Sequence, residues 1–113
     1  MDFYSEFSKN YDKIFPLNIK KLNLIDNTFK KLKEKREETK LLDVGCGTGS
    51  YAIKLAEKGY QVKAIDLDAE MISLAESKMK DARVEVDFYR LGMLNLKKKF
   101  MEAPMVITIE NYA

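Results

Sequence analysis

Three glycines in one short segment are the residues of this sequence best suited to holding a ligand. Gly45, Gly47 and Gly49 alternate with other residues directly after the apolar run "KLLDV", and a helical pattern begins near Ser50. Glycine permits positive φ and lets a ligand approach the backbone without a Cβ in the way. Because the N–H groups at the start of a helix lack intrahelical partners, we expect this loop to offer them to an anionic group.

An aspartate at the end of the next apolar run supplies the second part of the predicted site. Asp66 follows Gly45 by about 20 residues, the separation at which dinucleotide folds place the carboxylate that accepts hydrogen bonds from ribose hydroxyls. Loop and acid together predict a ligand that carries a ribose. A phosphate loop needs a lysine after its last glycine, and the dinucleotide fingerprint GxGxxG needs glycine or alanine where Ser50 stands. The spacing here is GxGxG, which disfavours both readings.

The composition excludes several kinds of chemistry. The 113 residues contain no histidine and one cysteine, Cys46, so neither an internal disulfide nor a Cys/His zinc site is available, and no metal site is predicted. Without histidine there is no Cys–His pair, and we expect the Cys46 side chain to be a small buried group rather than a nucleophile. A net charge of +2 gives no reason to expect nucleic acid or a membrane as a partner. No apolar run nears the roughly 20 residues of a membrane span and no signal peptide is recognised, so a cytoplasmic protein is expected.

Helical and strand patterns follow one another along the chain. Apolar residues at helical spacing predict a helical segment over residues 1–38, interrupted at Pro16. From residue 39, short apolar runs alternate with helices, which indicates an α/β fold whose parallel sheet binds its ligand at the carboxyl ends of the strands. The predicted helices are Asp2–Lys13, Leu17–Glu38, one from near Ser50 that Gly59 stops, and one that Asp68 caps and that runs to about Lys80. The predicted strands are Lys40–Val44, Gln61–Asp66, Arg83–Arg90 and Met105–Glu110.

Two of these segments resemble a known family. "LLDVGCGTG", followed by "VKAIDLDAEMISLAESKM", is similar to the cofactor half of class I S-adenosylmethionine-dependent methyltransferases. The resemblance implies a Rossmann-like parallel sheet with flanking helices, S-adenosylmethionine as cofactor, and methyl transfer to a small-molecule acceptor. It also implies that the loop lies under the methionine portion of the cofactor, that Asp66 takes the ribose hydroxyls, and that Leu67 packs on the adenine. The loop residues carried over by motif are Asp43, Gly45, Cys46, Gly47 and Gly49.

The same resemblance extends to two further candidates. The segment "FSKNYDKIF" resembles the short N-terminal helix of many small-molecule methyltransferases, in which an aromatic residue closes over the cofactor. Tyr11 is the candidate for that role. After the third strand the family usually has an aspartate that holds the adenine amino group, whereas this chain has Gly92. The backbone N–H of Met93 is the candidate for a contact with the adenine ring.

The chain contains about four of the seven strands that the resemblance implies. We therefore expect an incomplete class I methyltransferase fold, in which residues 39–113 form the S-adenosylmethionine-binding half-domain. The fourth strand, "MVITI", is apolar on both faces, and we expect its open edge to pair with another chain. The main alternative to an enzyme is accordingly an inactive fragment that self-associates through this strand. A weaker alternative is an NAD-dependent oxidoreductase. The sequence identifies neither the acceptor nor a catalytic residue.

Overall fold

A parallel sheet organises the fold, and helices join β1 to β2 and β2 to β3 in the described part of the chain. The computed structural model describes residues 3–32, 35–92 and 105–108. The elements are α1 (Phe3–Ile14), α2 (Ile19–Lys31), a 3-10 turn (Arg36–Glu38), β1 (Lys40–Val44), α3 (Ser50–Glu57), β2 (Gln61–Asp66), α4 (Ala69–Ala82), β3 (Asp87–Arg90) and β4 (Met105–Thr108). The strand order is β3-β2-β1-β4 and every pairing is parallel. The predicted α/β fold with a parallel sheet is therefore confirmed.

The sheet has a helix-covered face and an opposite face, because consecutive side chains of a strand point in opposite directions. The helix-covered face carries the larger buried cluster, to which α2, α3 and α4 all contribute. Leu41 of β1 and Val62 of β2 belong to this cluster, whereas Leu42 and Ile65 belong to a smaller cluster on the opposite face. The burial of both faces explains why β1 and β2 contain consecutive apolar residues, Leu41-Leu42 and Ala64-Ile65, rather than a strict alternation with polar ones.

Two predicted elements are shorter than the sequence pattern suggested. The helix predicted over Leu17–Glu38 ends at Lys31, and a separate 3-10 turn occupies Arg36–Glu38. The C-cap residue Leu32 is 58% exposed, so burial of its side chain does not favour extension of the helix.

The third strand begins at Asp87 rather than at Arg83. Arg83 adopts a left-handed backbone conformation, with φ of 58°, and is the C-cap of α4. Three further residues separate that cap from the strand. The predicted end of the fourth strand, residues 109–110, lies outside the described residues.

A buried ion pair joins the N-terminal helices to the sheet. Asp26 of α2 is 4% exposed and accepts hydrogen bonds from Nε (2.9 Å) and Nη2 (2.6 Å) of Arg36 and from the hydroxyl of Tyr60 (2.6 Å). The Arg36 hydrogen bonds lower the pKa of Asp26 to about 2, although burial acts in the opposite direction. Burial, together with the hydrogen bond to Asp26, raises the pKa of Tyr60 to about 12. These contacts fix α2 beside the start of β2.

Among residues 3–32, 35–92 and 105–108, no helix is both long enough and apolar enough to cross a membrane.

Candidate functional site

A cavity of about 320 Å³ lies at the carboxyl ends of β1 and β2. Its volume is at the lower end of the roughly 300–1,000 Å³ typical of small-molecule sites. Five of the predicted site residues line it: Tyr11, Gly45, Gly47, Asp66 and Leu67. The remaining lining residues are Val44, Ile65, Met71, Leu91 and Gly92. The structure therefore brings the glycine loop, the acid of β2 and the N-terminal helix together at one place, where open parallel sheets bind their ligands.

The glycine loop does not present its N–H groups in the way the sequence suggested. The N–H groups of Gly45 and Cys46 both donate to the carbonyl oxygen of Ile65, at 2.9 Å. The N–H of Gly47 donates to Oδ2 of Asp66 (2.9 Å), and that of Gly49 donates to the carbonyl oxygen of Cys46 (3.0 Å). The expectation that the glycine N–H groups are free is wrong: those of Gly45 and Gly47 hold the loop on β2, and that of Gly49 is bonded within the loop.

Two of the glycines are required for different reasons, although both have positive φ. A Cβ on Gly45, with φ of 71°, would meet no atom within 4 Å, so this residue borders the open space of the cavity. A Cβ on Gly49, with φ of 80°, would lie 2.9 Å from Cζ of Phe88 and 3.0 Å from Cβ of Ala75. Gly49 does not line the cavity. Its side of the loop packs against α4 and β3, so its close contacts are structural.

Asp66 connects the loop to the beginning of α4. Its Oδ2 accepts the N–H of Gly47, and its Oδ1 accepts the N–H of Asp68 at 2.9 Å. Each carboxylate oxygen has a second lone pair, so the side chain that lines the cavity retains acceptor capacity for two hydroxyl groups. Asp68 is the N-cap of α4 and accepts the N–H of Glu70, as the sequence predicted, which leaves Asp66 available to a ligand.

Asp43 is a buried carboxylate close to the cavity. It lies between Leu42 and Val44 on β1, is 1% exposed, and within the described part of the chain neither of its oxygens has a hydrogen-bond partner. Burial raises the pKa of Asp43 well above its usual value, and the negative charge of Asp66 raises it further. The parallel register pairs Asp43 with Ala64, so Asp43 and Asp66 project from the same face of adjacent strands. An uncompensated buried acid of this kind costs free energy unless a cation or a proton compensates it.

Cys46 has its side chain in the core rather than in the cavity. It is 1% exposed and belongs to the helix-side cluster, and burial strongly raises the pKa of its thiol. A thiol in this state is not a nucleophile at neutral pH, which agrees with the interpretation of Cys46 as a small buried group. Asp43, Cys46 and Gly49 thus support the loop from behind, whereas Gly45 and Gly47 face the ligand space.

Residues from three elements form the rest of the cavity wall. Tyr11 reaches it from α1 and also packs against Phe15, with the rings tilted by 46° and their centroids 5.0 Å apart. Leu67 is 71% exposed, which suits an apolar residue that covers a flat ligand. A Cβ on Gly92 would lie 3.0 Å from Cδ2 of Leu67, so the missing side chain at position 92 leaves room for Leu67 in its present position. Met93 lies outside the described residues.

Four apolar lining residues were not identified as site residues from the sequence. Val44 ends β1, Ile65 is the next-to-last residue of β2, Leu91 follows β3, and Met71 lies in the first turn of α4. The signal that could have identified all four is position, since each lies within a few residues of the carboxyl end of a strand.

Comparisons with known proteins agree with this geometry. The model of the methyltransferase domain family matches residues 41–112, which is more than half of the chain. A protein of Geobacillus sp. (strain WCH70), provisionally named a methyltransferase, is 37% identical over 70 residues, which cover 60% of this chain and 28% of that protein. The chain belongs to the methyltransferase domain family. It spans less than a third of the length of that relative.

Solved structures show the same fold. An S-adenosylmethionine-dependent methyltransferase of Clostridium acetobutylicum ATCC 824 matches with a TM-score of 0.75 at 24% identity, over 95% of this chain and 44% of that one. The magnesium protoporphyrin IX methyltransferase ChlM of Synechocystis PCC 6803, in a structure with bound S-adenosylmethionine, matches with a TM-score of 0.68 at 19% identity, over 98% and 61%. At these identities the two structures establish the Rossmann-like fold alone.

Proposed function

We propose that the cavity binds S-adenosylmethionine and that the chain is the cofactor-binding part of an enzyme that methylates a small-molecule acceptor. The observation that carries this proposal is the pair of carboxylates on one face of the sheet, Asp66 in the cavity wall and the buried, unpartnered Asp43. S-adenosylmethionine carries two positively charged groups, a sulfonium and an ammonium, and one negatively charged carboxylate, so its net charge is positive. A ligand with net positive charge compensates two nearby acids, whereas an anion is repelled by them.

The hydrogen bonds of the glycine loop support the same ligand and disfavour a dinucleotide. A pyrophosphate needs unoccupied N–H groups at the start of a helix. Here the N–H groups of Gly45, Cys46 and Gly47 are all engaged within the protein. The pyrophosphate of NAD would therefore find these three donors occupied and would face the carboxylates of Asp66 and Asp43. The exposed Leu67 and the ring of Tyr11 suit the adenosine part of the ligand.

The proposed residues bind and orient rather than transfer protons. When bound, S-adenosylmethionine supplies a methyl group that its sulfonium already activates. Asp66 would fix the ribose, the glycine loop would let the methionine portion approach the backbone, and Tyr11 would exclude water from one side. Holding two reactants in line accounts for roughly 7–11 kcal/mol of barrier reduction in favourable cases. A domain without histidine is adequate for this task.

Calorimetric titration tests the proposal directly. We expect heat of binding with S-adenosylmethionine and with S-adenosylhomocysteine, and none with NAD at the same concentrations. Asp66→Ala should weaken both affinities by about 10- to 100-fold, because the bonds lost involve a charged acceptor. Asp87→Ala is the matched control, since Asp87 is exposed at the opposite end of the sheet, where β3 begins. Equal affinity for Asp66→Ala and the wild type would remove Asp66 from the site.

A methyl-transfer assay with a panel of oxygen, nitrogen and carbon acceptors addresses the reaction itself. The competing proposal, an inactive fragment that associates through β4, has its own observation: β4 pairs with β1 on one side, and in the described residues nothing pairs with its other side. Sedimentation equilibrium separates the two proposals. Turnover by a monomer would support the enzyme, and a dimer without turnover on any acceptor would support the association.

A further inference from the structure

A polar network joins the N-terminal helix to the glycine loop. Lys78 of α4 donates from Nζ to Oδ2 of Asp12 (2.8 Å), to Oγ of Ser50 (2.7 Å) and to Oγ1 of Thr48 (3.2 Å). Thr48 in turn donates from Oγ1 to Oδ1 of Asp12, at 2.8 Å. One ammonium group and one carboxylate therefore connect α1, the loop, the start of α3 and α4.

The members of this network are sequence neighbours of residues that line the cavity. Asp12 directly follows Tyr11, and Thr48 directly follows Gly47. Thr48 is 2% exposed, so its hydroxyl is fixed at the base of the loop. A displacement of Asp12 from Thr48 would move Tyr11 away from the cavity wall, because Asp12 and Tyr11 are adjacent residues of α1.

The two N-terminal helices are held by contacts of different strength. The carboxylate of Asp26 on α2 is nearly buried, with a side-chain exposure of 6%, whereas the Asp12–Lys78 pair is 33% and 26% exposed. The N–H of Asn18 donates to the hydroxyl of Tyr51 at 2.9 Å, which fixes the beginning of α2 to α3. Between α1 and α2 lie residues 15–18. Because α2 is held more firmly than α1, a movement of α1 relative to α2 would take place at this short connection.

We propose that Asp12, Lys78 and Thr48 are positioning residues that dock α1 on the glycine loop, hold Tyr11 at the cavity, and thereby set the residence time of the cofactor. The docking of α1 stands on the hydrogen bonds alone, whereas its effect on the cofactor rests on the proposed function. Because the ion pair is partly exposed, it is strong enough to bias the helix toward the docked position and weak enough to open for cofactor exchange.

Hydrogen exchange of the protein without ligand tests the docking. Asp12→Asn and Lys78→Met should each accelerate exchange of the α1 amides by about 5-fold, as expected for the loss of a partly exposed charged hydrogen-bond pair. The double variant should be no worse than either single variant, since both remove the same contact. Glu57→Gln is the matched control, because the Lys54–Glu57 ion pair (3.2 Å) lies within α3. Unchanged α1 exchange in both variants would overturn the proposal.

Dissociation of S-adenosylhomocysteine, measured by competition in a stopped-flow instrument, tests the positioning. Asp12→Asn should raise the dissociation rate about 5-fold, and Tyr11→Ala should add little in that background. The added effect of Leu67→Ala should remain, since Leu67 reaches the cavity from the end of β2. Faster exchange without faster dissociation would refute the positioning role. If the wild type binds no S-adenosylhomocysteine, the proposed function and the positioning role both fail, whereas the exchange data still decide the docking.

Discussion

Replacing each of the two glycines at the ends of the loop by alanine should have different effects on stability and on ligand affinity. Gly45 and Gly49 both have positive φ, which costs an alanine about 1–2 kcal/mol. Their surroundings differ, because a Cβ at position 45 enters open space and a Cβ at position 49 meets Phe88 and Ala75. Gly45→Ala should therefore reduce ligand affinity more than stability, and Gly49→Ala should do the opposite.

The magnitude of each effect follows from these contacts. Gly45→Ala has only the backbone cost, about 1–2 kcal/mol of unfolding free energy. Gly49→Ala adds the cost of overpacking at 2.9 Å from Cζ of Phe88, about 1–3 kcal/mol, for a total of about 2–5 kcal/mol. A small domain has only about 5–15 kcal/mol of stability, so the second variant should lose a substantial part of it.

Urea unfolding followed by circular dichroism, together with titration of S-adenosylhomocysteine, measures both quantities. We expect Gly45→Ala to bind at least about 10-fold more weakly, since its methyl group occupies space next to the ligand. Gly49→Ala should keep nearly the affinity of the wild type per folded molecule. Phe88→Leu in the Gly49→Ala background should restore part of the stability by making room. Wild-type affinity for Gly45→Ala, or equal stability of the two variants, would refute this assignment of roles.

Three further predictions concern the buried acids and their partners. The pKa of Asp26 is lowered to about 2, so the stabilisation from its carboxylate is complete above its usual pKa of 3.8 and is lost as the pH falls through 2. In urea titrations, the difference in unfolding free energy between the wild type and Asp26→Asn should therefore shrink by about 2 kcal/mol from pH 5 to pH 2. The pKa of Tyr60 is raised to about 12, so the advantage of the wild type over Tyr60→Phe should be constant below pH 10 and decline between pH 10 and 12 in thermal melts. The pKa of Asp43 is raised, so its ionisation opposes folding as the pH rises above 3.8, and Asp43→Asn should gain stability relative to the wild type between pH 4 and pH 8. In calorimetric titrations the same variant should lose more affinity for S-adenosylmethionine than for S-adenosylhomocysteine, whose sulfur is uncharged. An Asp43→Asn variant with unchanged preference between these two ligands would contradict the proposed electrostatic role.

Local sequence signals were sufficient for the elements that position the site. The segments "KLLDV" and "QVKAID" form β1 and β2 with the predicted bounds, since each contains buried apolar residues, β1 ends directly before Gly45, and β2 ends at Asp66. Asp68 caps α4 as predicted, and Gly59 follows α3 with φ of 109°. These signals act within a few residues, so a single sequence carries them.

Tertiary contacts explain why two of the sequence-based predictions were wrong. The lysine- and glutamate-rich end of the predicted second helix has a composition typical of helices. In the structure, Arg36 instead forms an ion pair with Asp26, ten residues earlier in the chain. This tertiary contact outweighs the local helix propensity. The expectation of unoccupied N–H groups in the loop failed for a similar reason. Ile65 and Asp66 accept those donors, and the register that brings β2 beside the loop is not readable from the loop itself.

The loop's hydrogen bonds and the buried Asp43 lead to one conclusion about ligand charge. A loop that binds phosphate keeps its donors unoccupied and avoids acids beneath them. This loop uses the N–H groups of Gly45, Cys46 and Gly47 on β2 and has Asp43 and Asp66 on one face of the adjoining strands. The pKa of Asp43 is raised by burial, so its ionisation costs free energy that either a proton or a nearby cation relieves. A cationic ligand does so when it binds, and its affinity then includes the relief of that electrostatic cost. We therefore expect the GxG pattern, which in other folds indicates phosphate, to serve a ligand of positive charge here, as the proposed function requires.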